Sequence, residues 1–317
     1  MKNLLTLFLA ILTLPVMAQQ ISLNSQYMFN ESSFNSGAVG SKPYTQIQLN
    51  GRRQWSGFQG SPTTQQLSVN GYLGNNLGMG GVIFNDVTGP SRRTGFVLSG
   101  AYRLRLSRDN NHKLGMGMGV SLTQHFIDIN RLTTFLPNDP AVAEAYNNQL
   151  VPDVNAGLYY TFKDKGFAGL SVQNMVQSNR NLFDFNQTFV NPVVRNYYAY
   201  GGYKFDLKKK WTLTPTAMVR MIDALAMQFD ISTIATYNNL LWIGASFRYK
   251  DAVCGLIGVQ LGVFKFGYSY DYTLSDIGKY SNGSHEIFLE LQLFPKKGVN
   301  RNIQWLKRNR LYTPSTN

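Results

Sequence analysis

The sequence has 317 residues, of which 44% are hydrophobic and 15% are charged, and its formal net charge is +13. Its single cysteine, Cys254, excludes an internal disulfide framework, and we expect this residue to be a small packed side chain. A basic balance of this size is typical of proteins that meet nucleic acid, anionic lipid or acidic proteins.

The first 18 residues are predicted to be a secretory signal peptide. Lys2 and Asn3 give a short polar start, residues 4–14 are apolar, and Val16-Met17-Ala18 offers small residues for cleavage before Gln19. A membrane-spanning helix would need about 20 apolar residues, and this run is only about half as long. Export makes nucleic acid the least expected partner of the basic chain.

Apolar and polar residues then alternate with a period of two almost to the C-terminus, which predicts β-strands. In residues 113–126 one face carries leucine, methionine and valine, whereas the other carries Gly115, Gly117 and Gly119. Fourteen such segments are predicted, at residues 44–55, 63–73, 77–86, 94–106, 113–126, 153–162, 166–174, 194–206, 210–221, 225–236, 239–250, 252–261, 263–273 and 284–294.

Three features favour a membrane barrel over a soluble sandwich. The strands are about ten residues long, which suits a tilted bilayer crossing. Aromatic residues gather near strand ends, as at an interfacial girdle. The polar face carries full charges, which a wet lumen tolerates and a sandwich core does not; they are Arg103, Arg105, Arg220, Arg248, Lys265, Asp230, Asp271 and Glu290. The predicted fold is therefore an all-β transmembrane antiparallel outer-membrane β-barrel of about 14 strands.

Connection lengths predict the topology. Every second connection is a short turn, whereas several others are long, notably residues 127–151, 175–193 and 273–283. Outer-membrane barrels have short periplasmic turns and longer outer loops. We therefore predict a signal peptide (1–18), an N-terminal periplasmic or plug segment (19–43), the barrel (44–294) and a basic periplasmic tail (295–317).

Catalytic and metal-binding motifs are absent from the sequence. His285-Glu286 begins like a zinc-protease motif, but Leu289 stands where the second histidine would be. The glycines of residues 115–119 lie on one strand face with no helix start after them, so they are not a phosphate loop. We interpret them as a lumen wall flattened to admit a loop or a plug. Neither catalysis nor a cofactor is expected.

From Gln26 onward, short blocks in order over nearly the whole chain resemble the PorP/SprF family of type IX secretion system membrane proteins of Bacteroidetes. The blocks are Gln26 to Asn30, Asn35 to Ser41, Arg53 to Gln65, Asn85 to Pro90, Asn138 to Pro140, Gln228 to Asp230, Leu241 to Arg248, Gly267 to Asp271 and Ser281 to Ile287. The resemblance implies protein export or cell-surface attachment, in some species linked to gliding motility, without catalysis.

Two roles remain open within this resemblance. One is a component of the secretion machine that associates with a periplasmic lipoprotein ring and with the C-terminal domains of secreted cargo. The other is a surface anchor for a secreted adhesin. A general diffusion porin is the alternative from a different class, since barrels host many functions.

Two sets of residues are predicted to bind partners. Trp55 and Phe58 are large aromatics in a loop rich in Gly and Ser, and either docking or interfacial anchoring would suit them. The second set lies in the tail, where basic residues are mixed with an aromatic: Lys296, Lys297, Arg301, Trp305, Lys307, Arg308 and Arg310. The tail favours the machine component, because a periplasmic extension is where a ring lipoprotein would be met.

Overall fold

The structure is a computed structural model that describes residues 24–128, 131, 148–177, 193–208, 210–222 and 226–294. The predicted signal peptide and the predicted basic tail lie outside the described residues, as does most of the two longest predicted loops. The four-part division of the chain remains a prediction.

The described chain folds as one closed antiparallel sheet. Its strands are β1 (Thr45–Arg53), β2 (Thr63–Gly74), β3 (Leu77–Thr88), β4 (Ser91–Arg105), β5 (His112–Ile127), β6 (Asn148–Phe162), β7 (Gly166–Gln173), β8 (Asn196–Tyr203), β9 (Phe205–Asp206), β10 (Trp211–Ile222), β11 (Ala226–Tyr237), β12 (Leu241–Arg248), β13 (Ala252–Leu261), β14 (Phe264–Thr273) and β15 (Ser284–Leu293). Because β8 and β9 both pair with β10, they form one interrupted strand, and the barrel has 14 strands. The predicted fold class is confirmed.

The barrel closes where β1 pairs with β15, in a register that runs from Thr45 opposite Leu293 to Arg53 opposite His285. We call this pairing the seam. Both ends of the barrel strands, Thr45 and Leu293, therefore lie at the same end of the barrel. That is the end with the short hairpin turns, which we call the turn end, and the opposite end is the loop end.

Asparagine and aspartate shape the hairpins at the turn end. Asn75 and Asn76 connect β2 to β3 with φ of 49° and 64°, and Asn238 and Asn239 connect β11 to β12 with φ of 52° and 53°. Two successive residues with positive φ make the turn that matches the twist of a β-hairpin. Asn and Asp adopt this conformation more readily than other non-glycine residues, which explains their use here.

Side chains alternate between lipid and lumen along the strands. Outward residues are large, apolar and exposed, such as Leu49 (52%), Ile83 (58%) and Ile287 (61%). Inward residues include buried polar and charged groups, such as Gln48 (1%) and Glu290 (1%). This is the inverse of a soluble protein, and it is the pattern of a barrel whose outer face meets hydrocarbon.

The helices of the described chain are short 3-10 turns. Three of them, Tyr27–Phe29, Glu31–Ser33 and Ser36–Ala38, lie in the segment before β1, and the fourth, Asp276–Tyr280, lies between β14 and β15. No helix among the described residues is long and apolar enough to cross a bilayer.

Candidate functional site in the barrel lumen

Residues 24–41, which we call the lumen segment, are packed inside the barrel. Several of their side chains are almost fully buried, including Ser25 (0%), Tyr27 (2%) and Asn35 (0%). The segment starts near the loop end, where Ser25 contacts β14 and β15, and it reaches the turn end at Gly40, which contacts Gly71 and Gly78. It therefore runs along the lumen before β1 begins.

A cluster of charged residues from the barrel wall lies beside the start of the lumen segment. Arg52 on β1 pairs with Asp271 (2.7 Å) and with Glu286 (3.1 Å), and all three side chains are at most 2% exposed. Arg248 on β12 lies between Asp230 and Asp271, at 3.5 Å from each. We call these five residues the buried charge cluster. Groups this deeply buried need partners, since an unpaired buried charge is strongly destabilising.

Ser25 contacts four of the five residues of this cluster. Its hydroxyl donates to Asp271 (2.7 Å) and accepts from Arg52 (2.8 Å) and Arg248 (3.2 Å), while its backbone N–H donates to Glu286 (2.6 Å). The hydroxyl is small enough to fit between two arginines and a carboxylate, and it can donate and accept at once. One serine thus connects β1, β12, β14 and β15.

Tyr27 and Phe29 attach the next turn to the wall. The Tyr27 hydroxyl donates to Asp230 (3.1 Å), and burial together with the charge of Asp230 raises the pKa of this phenol well above its usual range. Phe29 packs against Trp242 with ring centroids 4.6 Å apart, and the Lys265 ammonium lies 3.8 Å from the Phe29 ring centroid. The second contact is a cation–π interaction inside the lumen.

Glu31 is a buried carboxyl in the middle of the segment. It accepts a hydrogen bond from the Tyr159 hydroxyl (3.1 Å) and is 6% exposed. Burial raises the pKa of Glu31 from 4.5 to about 7, against the opposing effects of the Lys42 charge and the Tyr159 hydrogen bond. Near neutral pH this carboxyl therefore exists in both protonation states.

Glycines of the barrel wall make room for the part of the lumen segment that lies toward the turn end. A Cβ atom at Gly117 would lie under 3.0 Å from the backbone of Ser36, and one at Gly115 would collide with Gly37. Gly157 on β6 is in the same position, since a Cβ there would meet the Asn35 side chain. The glycines that we interpreted as a flattened lumen wall do face the chain inside the barrel.

Hydrogen bonds to the wall continue toward the turn end. The side-chain amide of Asn35 donates to the Leu158 carbonyl (3.0 Å) and to the Tyr200 hydroxyl (3.1 Å). Near the turn end, Arg103 donates to the carbonyls of Gly40 (2.8 Å) and Val39 (3.2 Å). Hydrogen bonds thus hold the segment along its whole length, which is what burial of a non-helical chain requires.

The charges predicted for the lumen are mostly there. Arg220, Arg248, Asp230, Asp271 and Glu290 are buried on the inward face. Lys265 and Arg103 also face inward and contact the lumen segment, whereas Arg105 is exposed at the turn end. Cys254 is buried (3%) in a small apolar cluster with Trp242 and Leu256, as expected for a packed side chain.

Trp55 and Phe58 lie at the loop end, in the connection between β1 and β2, and both are half-buried. Their loop, residues 54–62, is held against the loop before β15, because Trp55 N–H donates to the Ser284 hydroxyl (3.0 Å) and Ser56 N–H donates to Gly283 O (2.7 Å). Their role in binding a partner remains a prediction. The predicted tail residues Lys296, Lys297, Arg301, Trp305, Lys307, Arg308 and Arg310 lie outside the described residues.

The main contacts of the lumen segment were not identified from the sequence. Ser25, Glu31 and Asn35 are ordinary polar residues there, and nothing local shows that they bind strands more than 100 residues away. The signal in the sequence was indirect: residues 26–30, one of the short blocks on which the family resemblance rests, lie outside every predicted strand.

The sequence matches the family described as "Type IX secretion system membrane protein PorP/SprF" over residues 16–291. The chain belongs to the PorP/SprF family of type IX secretion system membrane proteins. Together with the closed barrel, this places the PorP/SprF chain in the outer membrane. No curated protein matches its sequence.

Solved outer-membrane barrels resemble the chain in fold at very low sequence identity. A FadL homologue of Pseudomonas aeruginosa is 9% identical, with a TM-score of 0.47 and coverage of 81% of this chain and 91% of that one. The toluene transporter TodX of P. putida is 10% identical, with a TM-score of 0.45 and coverage of 83% and 92%. The KdgM porin is 8% identical, with a TM-score of 0.39 and coverage of 78% and 99%.

Proposed function

We propose that the chain is a non-catalytic outer-membrane component of the type IX secretion system that couples a periplasmic lipoprotein ring to the export of cargo proteins. Membership of the PorP/SprF family is the observation that carries this proposal. The occupied lumen and the basic turn end support it.

The occupied lumen argues against a general diffusion porin. Residues 24–41 are hydrogen-bonded to the wall from the loop end to the turn end, so solutes have no open path where this segment lies. In planar bilayers the purified protein should lack the steady, large openings of a porin. Such openings in the wild-type protein would favour the porin and count against the proposal.

The turn end is the surface that would face a periplasmic ring. Arg108, Lys163, Lys208 and Lys210 are exposed there. Two further lysines are partly neutralised, since Lys113 pairs with Asp164 (3.2 Å) and Lys165 pairs with Asp206 (2.8 Å). Basic residues still outnumber acidic ones, which suits an acidic partner surface or lipid phosphates.

The basic tail would extend this surface, because β15 ends at the turn end and the chain continues from there. Its charges could attract either a protein or anionic lipid, and salt screens both attractions alike. An apolar anchor distinguishes them, since Trp305 adds packing that phosphate attraction does not need.

Deletion of residues 297–317 tests the proposal in whole cells. The truncated protein retains β15, so we expect normal insertion together with loss of the ring lipoprotein on co-purification and loss of cargo export. Trp305→Ala should do part of the same with no change of charge, and Tyr312→Ala is the matched aromatic control. If the truncated protein still co-purifies with the ring and export continues, the surface anchor for an adhesin becomes the better function.

A further inference from the structure

The outer face of the barrel carries a depression at the seam. A row of paired outward residues crosses seven strands, from Ile257 on β13 through Tyr268, Ile287, Gly51, Gln65 and Asn85 to Thr94 on β4. Gly51 lies at the centre of this row and contributes no side chain. The result is a groove of about 920 Å³, which we call the seam groove.

Between Gly51 and the turn end, the seam groove is lined by apolar side chains. Leu49, Leu67, Ile83 and Leu289 lie on the side toward the turn end. A barrel exterior is normally convex, and a concave apolar face of this volume is comparable to sites that hold a small apolar ligand, roughly 300–1,000 Å³. Acyl chains are the ligand that the surrounding bilayer supplies.

At the level of Gly51, strands β2–β4 carry polar groups on their outward face. Asn85 accepts a hydrogen bond from Arg92 (2.8 Å) and another from the Thr94 hydroxyl (3.1 Å), and it donates to Gln65 (3.4 Å). Amide and hydroxyl groups therefore form a band along the loop-end edge of the apolar groove. Such groups suit the amide and ester linkages where acyl chains join a headgroup.

Two exposed arginines, Arg53 and Arg92, lie on the loop-end side of this band. They share one row of the sheet, because Arg53 pairs with Thr63, Thr63 with Val87 and Val87 with Arg92. With strands about 4.8 Å apart, their Cα atoms are separated by roughly 14 Å. Two long arginine side chains can reach a common headgroup across that distance.

The charges of this face are unbalanced. The acidic residues of β1–β4 and β13–β15 all face the lumen and are buried; they are Asp86, Asp271, Glu286 and Glu290. Among the residues the structure describes, neither Arg53 nor Arg92 has an ion-pair partner. Their single hydrogen bonds to Ser61 and Asn85 leave most of the guanidinium donors available.

We propose that the seam groove and the arginines above it bind a phosphorylated, multiply acylated lipid of the outer leaflet. Arg53 and Arg92 hold the phosphate, the amide band meets the linkage region, and the groove at Gly51 receives acyl chains. Arginine recognises phosphate through paired N–H donors, and a basic patch beside apolar membrane surface is a known arrangement for anionic headgroups. The loop end faces the outer leaflet, as in other outer-membrane barrels.

The lipid site goes beyond the proposed role in secretion and does not depend on it. The test uses the full-length protein, delipidated in detergent and examined by native mass spectrometry. The added ligands are hexa-acylated bisphosphorylated lipid A, the same lipid with its phosphates removed, and inorganic phosphate. Wild-type protein should bind the first in preference to the second and should retain no inorganic phosphate.

Three variants separate the parts of the site. Arg53→Gln with Arg92→Gln should weaken lipid A binding on the order of tenfold or more, whereas Arg53→Lys with Arg92→Lys should retain much of it. Gly51→Leu should weaken binding with both arginines intact, because its Cβ would meet only Ile287, at 3.7 Å, and the side chain would enter the groove. Arg105→Gln with Arg108→Gln, which removes the same two charges at the exposed turn end, is the control.

Folding of each variant is checked by its heat-dependent shift on a gel, so that loss of the barrel is not mistaken for loss of the site. Equal lipid A binding by wild type and by the Arg53→Gln, Arg92→Gln protein would overturn the proposal. So would equal binding of the phosphate-free lipid. If the variants instead lose a stoichiometric protein partner while lipid binding is unchanged, the face is a protein interface and the lipid proposal is wrong.

Discussion

The Ser25 hydroxyl donates a 2.7 Å hydrogen bond to Asp271, a residue 246 positions later in the chain. The same hydroxyl accepts from Arg52 and Arg248. A single small side chain at the start of the lumen segment thus bridges three residues of the buried charge cluster.

Ser25→Ala should therefore loosen the lumen segment without opening the barrel. The variant loses hydrogen bonds to three charged groups, and bonds of this kind contribute about 1.5–3 kcal/mol each when a buried partner is left behind. We expect faster amide hydrogen exchange over residues 25–41 in the detergent-solubilised protein. Ser91→Ala, at an exposed strand end, is the control, and equal exchange in the two variants would contradict the assignment.

Gly117→Ala should displace the lumen segment around Ser36. The added methyl would lie under 3.0 Å from the Ser36 backbone, so one of the two chains must shift. Overpacking of this kind costs about 1–3 kcal/mol. We expect increased hydrogen exchange around residues 35–37 and a measurable rise in bilayer conductance. Gly255→Ala adds the same methyl where nothing lies within 4 Å, and it should leave both measurements unchanged.

Docking of the segment should depend on pH through Glu31. The pKa of this carboxyl is raised from 4.5 to about 7 in the folded protein, so between these values the docked state binds more protons than the released state. Stability of docking is greatest below the lower value, falls as pH rises through this window, and is constant above it. The shift in the pKa makes the free energy of docking about 3 kcal/mol more favourable at low pH, below both pKa values, than at high pH, above both.

Glu31→Gln isolates this contribution. The amide oxygen can still accept from Tyr159, but it does not titrate, so the variant should be docked more stably than wild type at pH 8 and similarly at pH 4.5. Hydrogen exchange of residues 25–41, corrected for the intrinsic rate at each pH, measures the difference. An unchanged pH profile in Glu31→Gln would show that another group is responsible, and Asp276→Asn, in an exposed loop, is the matched control.

Replacing Trp55 and Phe58 together by Ala should reduce cargo export or surface display and leave barrel assembly intact. The loop keeps its shape through the backbone, since the bonds from Trp55 N–H and Ser56 N–H do not involve the aromatic rings. Export assays and the heat-dependent gel shift measure the two properties separately. Tyr280→Ala, which removes an aromatic that is 76% exposed in the neighbouring loop, is the control. Failure of the double variant to insert would make these rings interfacial anchors.

The strands could be predicted because period-two alternation is a local signal. β13 was predicted at 252–261 and is Ala252–Leu261, and β14, predicted at 263–273, is Phe264–Thr273. The largest error is β6, predicted to begin at 153, which begins at Asn148. β7 pairs with β6 only from Ala156 onward, so the start of β6, which contains Pro152, lies at an edge, where proline is tolerated.

The lumen contacts could not be predicted in the same way. Ser25 and Glu286 are brought together only by closure of the whole sheet, and no spacing in the sequence encodes that distance. The glycines at 115, 117 and 119 showed that something lies against the wall. They did not show which chain it would be, and the prediction for residues 19–43 left a periplasmic and a plug position open.

The seam has a consequence for the order in which the protein assembles. Ser25 binds Arg52 on one side of the seam and Glu286 on the other, so its complete binding site exists only after the last strand has paired with the first. The segment is synthesised before every strand, yet it finds its final partners after all of them. Complete docking of the lumen segment therefore requires a closed barrel. An unclosed intermediate would leave Arg52 and Glu286 without Ser25, the partner that they share.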